Sequence, residues 1–267
     1  MHAAREPARV ALALVVLALG LAGGIASGLL GIGGGILVAP ALLYLPPLLG
    51  AGSFDMKQVT GLTITQGLLA CLSGTLRHRR YDCVSRRLVH AMGPAIVLGA
   101  LLGALASGPV EGRALKLLFA GLAAGAAALM ALPKAEREER GDDPAFRVPL
   151  AVCLALCVGF LGGMVGQGGS FLLVPLMLHV LKVPTRVAIG SNLALALLSS
   201  AAGLLGKLAT AQVPLLAASM LALGTAPGAQ LGSVLSHRTP ARGLRAGLGV
   251  VVGLSAVMLL ADALHSG

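Results

Sequence analysis

Long apolar runs, separated by short polar connections, extend along almost the whole chain. A helix that crosses a bilayer needs about 20 residues, within a range of about 17–25. The runs cover 10–30, 36–49, 59–76, 88–106, 114–132, 150–165, 170–181, 187–206, 213–235 and 243–261. Most of them fit the required length, so the pattern predicts an all-α polytopic membrane protein.

Two of the runs, 36–49 and 170–181, are too short for a comfortable crossing, and each directly follows a cluster of glycines. Glycine costs about 1 kcal/mol relative to alanine in a helix interior. Unpaired backbone groups are costly in lipid, so a break is tolerated only where protein or a water-filled cavity satisfies them. The combination predicts a broken or re-entrant helix at each glycine cluster.

The two glycine clusters belong to an internal repeat. The stretch GLLGIGGGILVAPALL at 28–43 aligns with GMVGQGGSFLLVPLML at 163–178, an offset of 135 residues. The glycine spacing agrees, and Pro40 corresponds to Pro175. A repeat of this length in a membrane chain is typical of transporters built from two related halves.

Farther along the chain the offset becomes 129, and Thr63 then corresponds to Asn192. The sequence therefore predicts a first membrane repeat at 1–132, a polar cytoplasmic linker at 133–147 and a second membrane repeat at 148–267.

The distribution of Lys and Arg leaves two topologies open. The richest basic loop, 77–87, is placed in the cytoplasm, because cytoplasmic loops carry an excess of positive charge. Five membrane elements per half make the halves inverted repeats and leave Arg5 and Arg9 outside. The alternative counts each broken helix as a single crossing, which gives eight spans and parallel repeats. It places the basic cluster at 238–245 on the outer side of the membrane. The inverted arrangement is preferred.

Composition supports the membrane assignment. Hydrophobic residues make up 57% of the chain and charged residues 11%, against about 25% in average soluble domains. The net charge of +10 falls mostly in short loops, where it suits topology and anionic lipid headgroups. The chain has no Trp and two Tyr, so its basic residues lack aromatic platforms, and no nucleic-acid partner is expected.

No cofactor, metal site or enzymatic constellation is predicted. Cys71, Cys83, Cys153 and Cys157 form no CxxC pair, and neither glycine cluster carries the Lys and Ser/Thr of a Walker loop. No Asp or Glu lies well inside an apolar run, which removes the obvious proton or sodium carrier. Lys207, near the end of a run, is interpreted as a residue that snorkels to the interface.

The glycine clusters favour an anion. Each break creates a helix N-terminus whose free N–H groups and positive dipole end attract negative charge, and consecutive glycines can form an anion-binding nest. Neutral polar side chains nearby can bond an oxyanion without bringing a full charge into the membrane. The candidate substrate-binding residues are Gly33, Gly34, Gly35, Thr63, Gln167, Gly168, Gly169, Ser170, Ser191 and Asn192.

Close packing of helices is the competing interpretation of membrane glycines and small polar residues. It is preferred for four glycines outside the clusters, namely Gly99, Gly103, Gly228 and Gly232. Ser199 and Ser200 are likewise assigned to helix–helix contacts.

The two glycine blocks, each followed by a proline, and the stretch VPTRVAIGSNLA at 183–194 resemble the sulfite exporter TauE/SafE family. The resemblance implies a multi-pass permease of the cytoplasmic membrane that moves sulfite, sulfonates or related small anions. The first half departs from the pattern, because Leu62 and Thr63 stand where the second half has Ser191 and Asn192. The site is therefore expected to be asymmetric.

The expected function is secondary transport of a small anion by alternating access, driven by a gradient or a partner because no ATPase motif is present. An anion-selective channel is the alternative. A membrane enzyme and a non-transporting scaffold are disfavoured. The expected partners are the small anion and membrane lipid, with a homo-oligomer left open.

Overall fold

The structure, a computed structural model, describes residues 5–30, 35–78, 84–131, 146–238, 253–254 and 257–258. Within these ranges the regular structure is helical. The helices are α1 (Arg5–Leu30), α2 (Gly35–Leu48), α3 (Met56–His78), α4 (Arg86–Ala106), α5 (Gly112–Ala131), α6 (Val148–Met164), α7 (Ser170–His179), α8 (Thr185–Ala209) and α9 (Leu215–Arg238).

Each of the first nine apolar runs of the sequence coincides with one helix, which confirms the all-α prediction. In the described part of the chain, five helices contain stretches long and apolar enough to cross a membrane: Val10–Leu29, Arg86–Ala106, Gly112–Met130, Val187–Ala209 and Leu215–Leu235. The apolar helices α2, α6 and α7 are shorter. The tenth run, 243–261, and the linker at 133–147 lie almost entirely outside the described residues.

Helix α1 packs along α9 through glycines on both helices. The glycines of α1 lie directly on the α9 backbone, Gly20 on Leu221, Gly24 on Thr225 and Gly28 on Ala229. The partners advance in the same order along both helices, so α1 and α9 run parallel. Any Cβ atom at these glycines would collide with the neighbouring backbone, which explains why the interface requires glycine.

A second glycine-lined pair is formed by α4 and α6. Its contacts are Gly99 on Leu156, Gly103 on Phe160, Gly159 on Ile96 and Gly163 on Ala100. These partners also advance together, so α4 and α6 run parallel. The packing role predicted for Gly99 and Gly103 is confirmed, and so is that of Gly228 and Gly232, which lie on the α1 backbone.

Helix α8 lies between α4 and α3. A Cβ atom at Gly206 would meet Ala104 of α4, and Gly203 lies one turn earlier near Ala100, so α4 and α8 are parallel. Along α3 the order is reversed, because Thr60 contacts Lys207 and the later Ile64 contacts Gly203. Helices α3 and α8 are therefore antiparallel.

The second glycine cluster interrupts the helical chain between α6 and α7. The interruption, residues 165–169, is called the glycine loop here, and all its residues are buried. Three of them have left-handed backbone angles, with φ of 73° at Gly166, 57° at Gly168 and 74° at Gly169. Only glycine adopts these angles without strain, so the predicted helix break at this cluster is confirmed.

The first glycine cluster lies between the end of α1 at Leu30 and the start of α2 at Gly35. Residues 31–34 are outside the described part of the chain, so the predicted break there stays a prediction. Helix α7 is positioned partly by α5, since the Phe171 ring stacks on Phe119 with centroids 5.9 Å apart.

Candidate functional site

The glycine loop is held by backbone bonds and by α3. The N–H of Gln167 donates to the carbonyl of Gly162 at 2.9 Å, and Ser170 Oγ donates to the carbonyl of Gln167 at 3.2 Å. Thr63 Oγ1 donates to the carbonyl of Gly166 at 2.9 Å, although 103 residues separate the two in sequence. The structure therefore brings Thr63, predicted from the repeat, to the second glycine cluster.

The loop ends in a helix N-terminus without a side-chain cap. Gly169 is the N-cap residue of α7 and lacks a side chain that could cap the first turn. Among the described residues, no hydrogen bond is donated by the backbone N–H of Gly168 or of Gly169. These two amides and the positive end of the α7 dipole are suited to an anion.

Two glutamine side chains, Gln167 of the loop and Gln66 of α3, are buried without full hydrogen bonding. Gln66 is 0% exposed, and neither its Oε1 nor its Nε2 has a partner among the described residues. Gln167 is 4% exposed, and its Nε2 is equally without an acceptor. Each buried polar atom left unsatisfied costs about 1–3 kcal/mol, so an arrangement of this kind favours a bound molecule.

The two glutamines face neighbouring turns of α2. A Cβ atom at Gly35 would lie 2.5 Å from Gln167 Oε1, and a Cβ atom at Gly23 of α1 would collide with both Gln66 Nε2 and Val38. Because Gly35 and Val38 are three residues apart on α2, the two amides lie about one helical turn apart. The end of the first glycine cluster therefore meets the second at Gln167.

Helix α8 closes another side of the loop. A Cβ atom at Gly168 would lie 2.7 Å from Ser200 Oγ and 3.5 Å from Ser199 Oγ. Ser199 is fully buried, and its hydroxyl has no partner within the described part of the chain. This differs from the predicted role in helix–helix contact, because such a hydroxyl bonds the neighbouring helix, so Ser199 belongs with the candidate site.

The remaining predicted residues are placed differently. Ser191 Oγ accepts from the N–H of Ser85, 3.0 Å away, at the start of α4, and both Ser191 and Asn192 are fully buried. Eight residues of helix separate Ser191 from Ser199, about 12 Å along the axis. Ser191 thus ties α4 to α8 at a different level from the glycine loop. Gly33 and Gly34 lie outside the described residues.

Lys207 is the residue that sequence reasoning placed wrongly. Its side chain is 0% exposed instead of reaching the interface, so the snorkelling interpretation is wrong. The ammonium Nζ donates to four neutral oxygens: Ser107 Oγ at 2.7 Å, Gln212 Oε1 at 2.8 Å, Thr60 Oγ1 at 2.9 Å and the Met164 carbonyl at 3.0 Å. We call these four oxygens the lysine cage.

The cage adjoins the glycine loop. Met164 directly precedes the loop, and the backbone of Thr60 lies against Gly166. A buried cation and unpaired neutral donors therefore border the same five residues. The sequence offered one signal for the cage: a single lysine at the end of an apolar run, followed by Gln212. This pattern is the same as that of an ordinary interfacial lysine. The described residues contain no cluster of three or more His, Cys, Asp or Glu that could hold a metal ion.

Comparison with known proteins gives one consistent result. The family model described as sulfite exporter TauE/SafE matches residues 16–259. The chain is 24% identical over 273 residues to the probable membrane transporter protein YunE of Bacillus subtilis, covering 95% of this chain and 99% of that protein. No solved structure matches the chain.

Two further relatives have similar descriptions. A probable membrane transporter protein of Xylella fastidiosa strain Temecula1 is 31% identical over 180 residues, which is 64% of each chain. The probable membrane transporter protein MJ0441 of Methanocaldococcus jannaschii is 24% identical over 247 residues, covering 89% of this chain and 91% of that protein.

Proposed function

Because the chain belongs to the sulfite exporter TauE/SafE family of membrane transporters, we propose that it moves a small anion, sulfite or an organosulfonate, across the cytoplasmic membrane. The anion binds at the glycine loop and is exposed to each side in turn by alternating access. The sulfur chemistry of the substrate comes from the family, and the preference for an anion is supported by the geometry of the site.

The single observation that carries the proposal is the group of buried, unpaired donors around the uncapped start of α7. Gln66, Gln167 and Ser199 supply side-chain donors, and Gly168 and Gly169 supply amides. An oxyanion with several oxygens accepts from such donors without requiring a buried charge pair, which is expensive to assemble in the membrane.

Gln66 restricts the chemistry of the proposed substrate further. Both of its amide atoms are unpaired among the described residues, so either orientation of the amide leaves one donor and one acceptor. An acceptor in an anion site suits a substrate that also carries an O–H or N–H group. Hydrogensulfite and amino-sulfonates such as taurine have this combination, whereas sulfate does not.

Helix directions support inverted repeats over parallel ones. Helix α1 is parallel to α9, and α6 is parallel to α4 and, through it, to α8. Only residues 210–214 connect α8 to α9, so these two successive spans are antiparallel. It follows that α1 and α6, the first helices of the two repeats, run in opposite directions. Parallel repeats require the same direction.

The glycine-lined interfaces also suggest which parts move. Each of them joins one repeat to the other, α1 with α9 and α4 with α6, and their close backbone contact resists sliding. We therefore propose that α1, α3 and α9 form one moving body and α4, α6 and α8 the other. The glycine loop lies where α3 meets α8, between the two bodies.

A disulfide within one body tests this division. A Cβ atom at Gly108 would lie 3.6 Å from Thr210 Cβ, which is within the range of disulfides, and these residues follow α4 and α8. With the four native cysteines replaced, the Gly108→Cys, Thr210→Cys variant is expected to transport equally well oxidised and reduced. Flux that stops on oxidation and returns on reduction contradicts the division.

The function itself is tested by anion flux in proteoliposomes containing the purified protein. Sulfite, sulfate, thiosulfate, taurine and sulfoacetate are compared with and without a pH gradient. We expect saturable flux of sulfite or of a sulfonate, in preference to sulfate. Step conductances in planar bilayers instead identify an anion-selective channel, and the absence of flux for every anion in the panel overturns the proposal.

A further inference from the structure

The lysine cage has the composition of a cation site. In transporters with interrupted helices, half-helix N-termini face the anionic substrate, while unwound carbonyls and helix C-terminal ends coordinate the coupling cation. We propose that the ammonium of Lys207 occupies this second position, so that the cage is a monovalent-cation site filled by the chain's own side chain. The inference rests on the proposed transport function.

The cage is built from neutral oxygens that have lone pairs to spare. The Thr60 hydroxyl donates its proton to the Lys57 carbonyl at 2.7 Å, and the Ser107 hydroxyl donates to the Ala104 carbonyl at 2.6 Å. Both hydroxyl oxygens therefore present lone pairs to the ammonium. Hydroxyl, carbonyl and amide oxygens are the ligands that proteins offer to hard cations.

Three helix ends converge on the same point. Helices α4, α6 and α8 end at Ala106, Met164 and Ala209, and each contributes a group to the cage or next to it. The C-terminal end of a helix carries a partial negative charge, so their convergence attracts a cation independently of any carboxylate. The four oxygens bonded to Lys207 include no carboxylate.

The lysine cage and the proposed anion site lie on the two sides of the glycine loop. Met164, the last residue of α6, bonds the ammonium, and Ser170, the first residue of α7, follows the anion-binding amides. Because the four bonded oxygens are neutral, the positive charge of Lys207 raises the potential at a site this close, where charges are poorly screened by the protein interior. The chain thus carries the cation that other transporters of this type take from solution.

The first consequence is tested on the unsubstituted protein. Sulfite flux in proteoliposomes, measured down a sulfite gradient, is expected to be unchanged when all Na⁺ is replaced by choline. Flux that requires Na⁺ overturns the inference while leaving the transport function intact, so the two are tested separately.

The second consequence is tested by emptying the cage. Lys207→Ala removes the ammonium and leaves space, and we expect the flux to fall by at least about tenfold. Methylammonium in the buffer is expected to restore it to within about threefold of the original, because the small cation refills the cage. Lys207→Met is the matched control, since its side chain fills the space without a charge and should leave nothing for methylammonium to restore.

A readout independent of transport completes the test. In detergent, methylammonium is expected to raise the melting temperature of Lys207→Ala by a few degrees and that of Lys207→Met by none. If Lys207→Ala is too unstable to purify alone, purification in methylammonium should recover it. Equal behaviour of the two variants in methylammonium, in flux and in melting temperature, overturns the inference even where no anion is transported.

Lys57 provides a control for simple loss of charge. It lies on the same side of the molecule, but among the described residues its Nζ donates to one acceptor, the Gly108 carbonyl, at 2.8 Å. Lys57→Ala removes one positive charge without opening a cage. Methylammonium should therefore have no effect on its flux, and a rescue as large as that of Lys207→Ala contradicts a specific site at Lys207.

Discussion

The two sides of the glycine loop differ in how completely their buried polar groups are paired. On the Lys207 side, an ammonium with three N–H groups meets four oxygens, and the hydroxyl protons of the cage are bonded elsewhere. On the other side, four side-chain atoms of Gln66, Gln167 and Ser199 have no partner among the described residues. The buried polar groups of the first side are paired, whereas those of the second have no partner in the described part of the chain.

The cost of unpaired buried atoms is large compared with the stability of a folded domain. Unsatisfied buried polar atoms cost about 1–3 kcal/mol each, and a whole domain is stable by only about 5–15 kcal/mol. Four such atoms in one place are therefore a large fraction of the available stability. Packing elsewhere has to offset them, and a substitution that removes them is expected to favour folding even as it damages function.

The largest loss of transport is expected from a side chain that fills the space beside the unpaired polar atoms of the glycine loop. Gly168→Leu places a side chain against Ser199 and Ser200 at a residue with φ of 57°, and we expect it to abolish anion flux while the protein still inserts. Gly121→Leu on α5, where a Cβ atom has open space, is the matched control. Flux through Gly168→Leu equal to that of the control contradicts the site.

Gln66→Leu separates function from stability. Leucine stands at the equivalent place of the second repeat, Leu195, and is fully buried there. We expect flux to fall about tenfold or more, while the melting temperature stays the same or rises because two unpaired atoms are removed. Gln230→Leu on the exposed face of α9 controls for the substitution itself. A lower melting temperature with normal flux would mean that Gln66 is structural.

Thr60→Val tests the side of the glycine loop where the lysine cage lies. It removes one of the four oxygens that the three N–H groups of Lys207 share, so a loss of about 1.5–3 kcal/mol in stability, as for a hydrogen bond to a charged group, is expected. Thermal unfolding in detergent measures this loss. Thr65→Val on the same helix, which removes a bond within α3 alone, should cost less. Equal losses would show that the cage contributes nothing beyond a helix-internal hydroxyl.

Ser199→Ala is the mildest change. It removes one unpaired hydroxyl beside Gly168, and we expect an anion affinity lower by about two- to tenfold, as for one neutral hydrogen bond, with stability unchanged or higher. Binding to the purified protein is measured by calorimetry. Ser219→Ala, at an exposed hydroxyl bonded within α9, is the comparison and should leave the affinity as it was.

Much of the fold follows from local sequence signals. Apolar runs specify helices without reference to the rest of the chain, and the second cluster breaks because Gly166, Gly168 and Gly169 permit backbone angles that other residues avoid. The packing role of some glycines can also be predicted from their spacing, since Gly99 and Gly103 lie one turn apart on a single helix face.

The site was less predictable because its groups come from distant parts of the chain. Lys207 meets Thr60 across 147 residues, and its sequence context fits an interfacial lysine equally well. Gln66 became distinctive only when its amide proved to be buried without partners. Thr63 was found because the repeat aligns it with Asn192, whereas Ser191, chosen as the polar neighbour of Asn192, bonds the start of α4.

The pairing of α1 with α9 has a consequence for how the protein is made. Helix α1 carries a row of glycines whose complementary surface is synthesised only when α9, starting at Leu215, leaves the ribosome. Until then α1 lacks the helix that packs on these glycines. Residues 5–30 therefore reach their final packing only after residues 215–238 have been made.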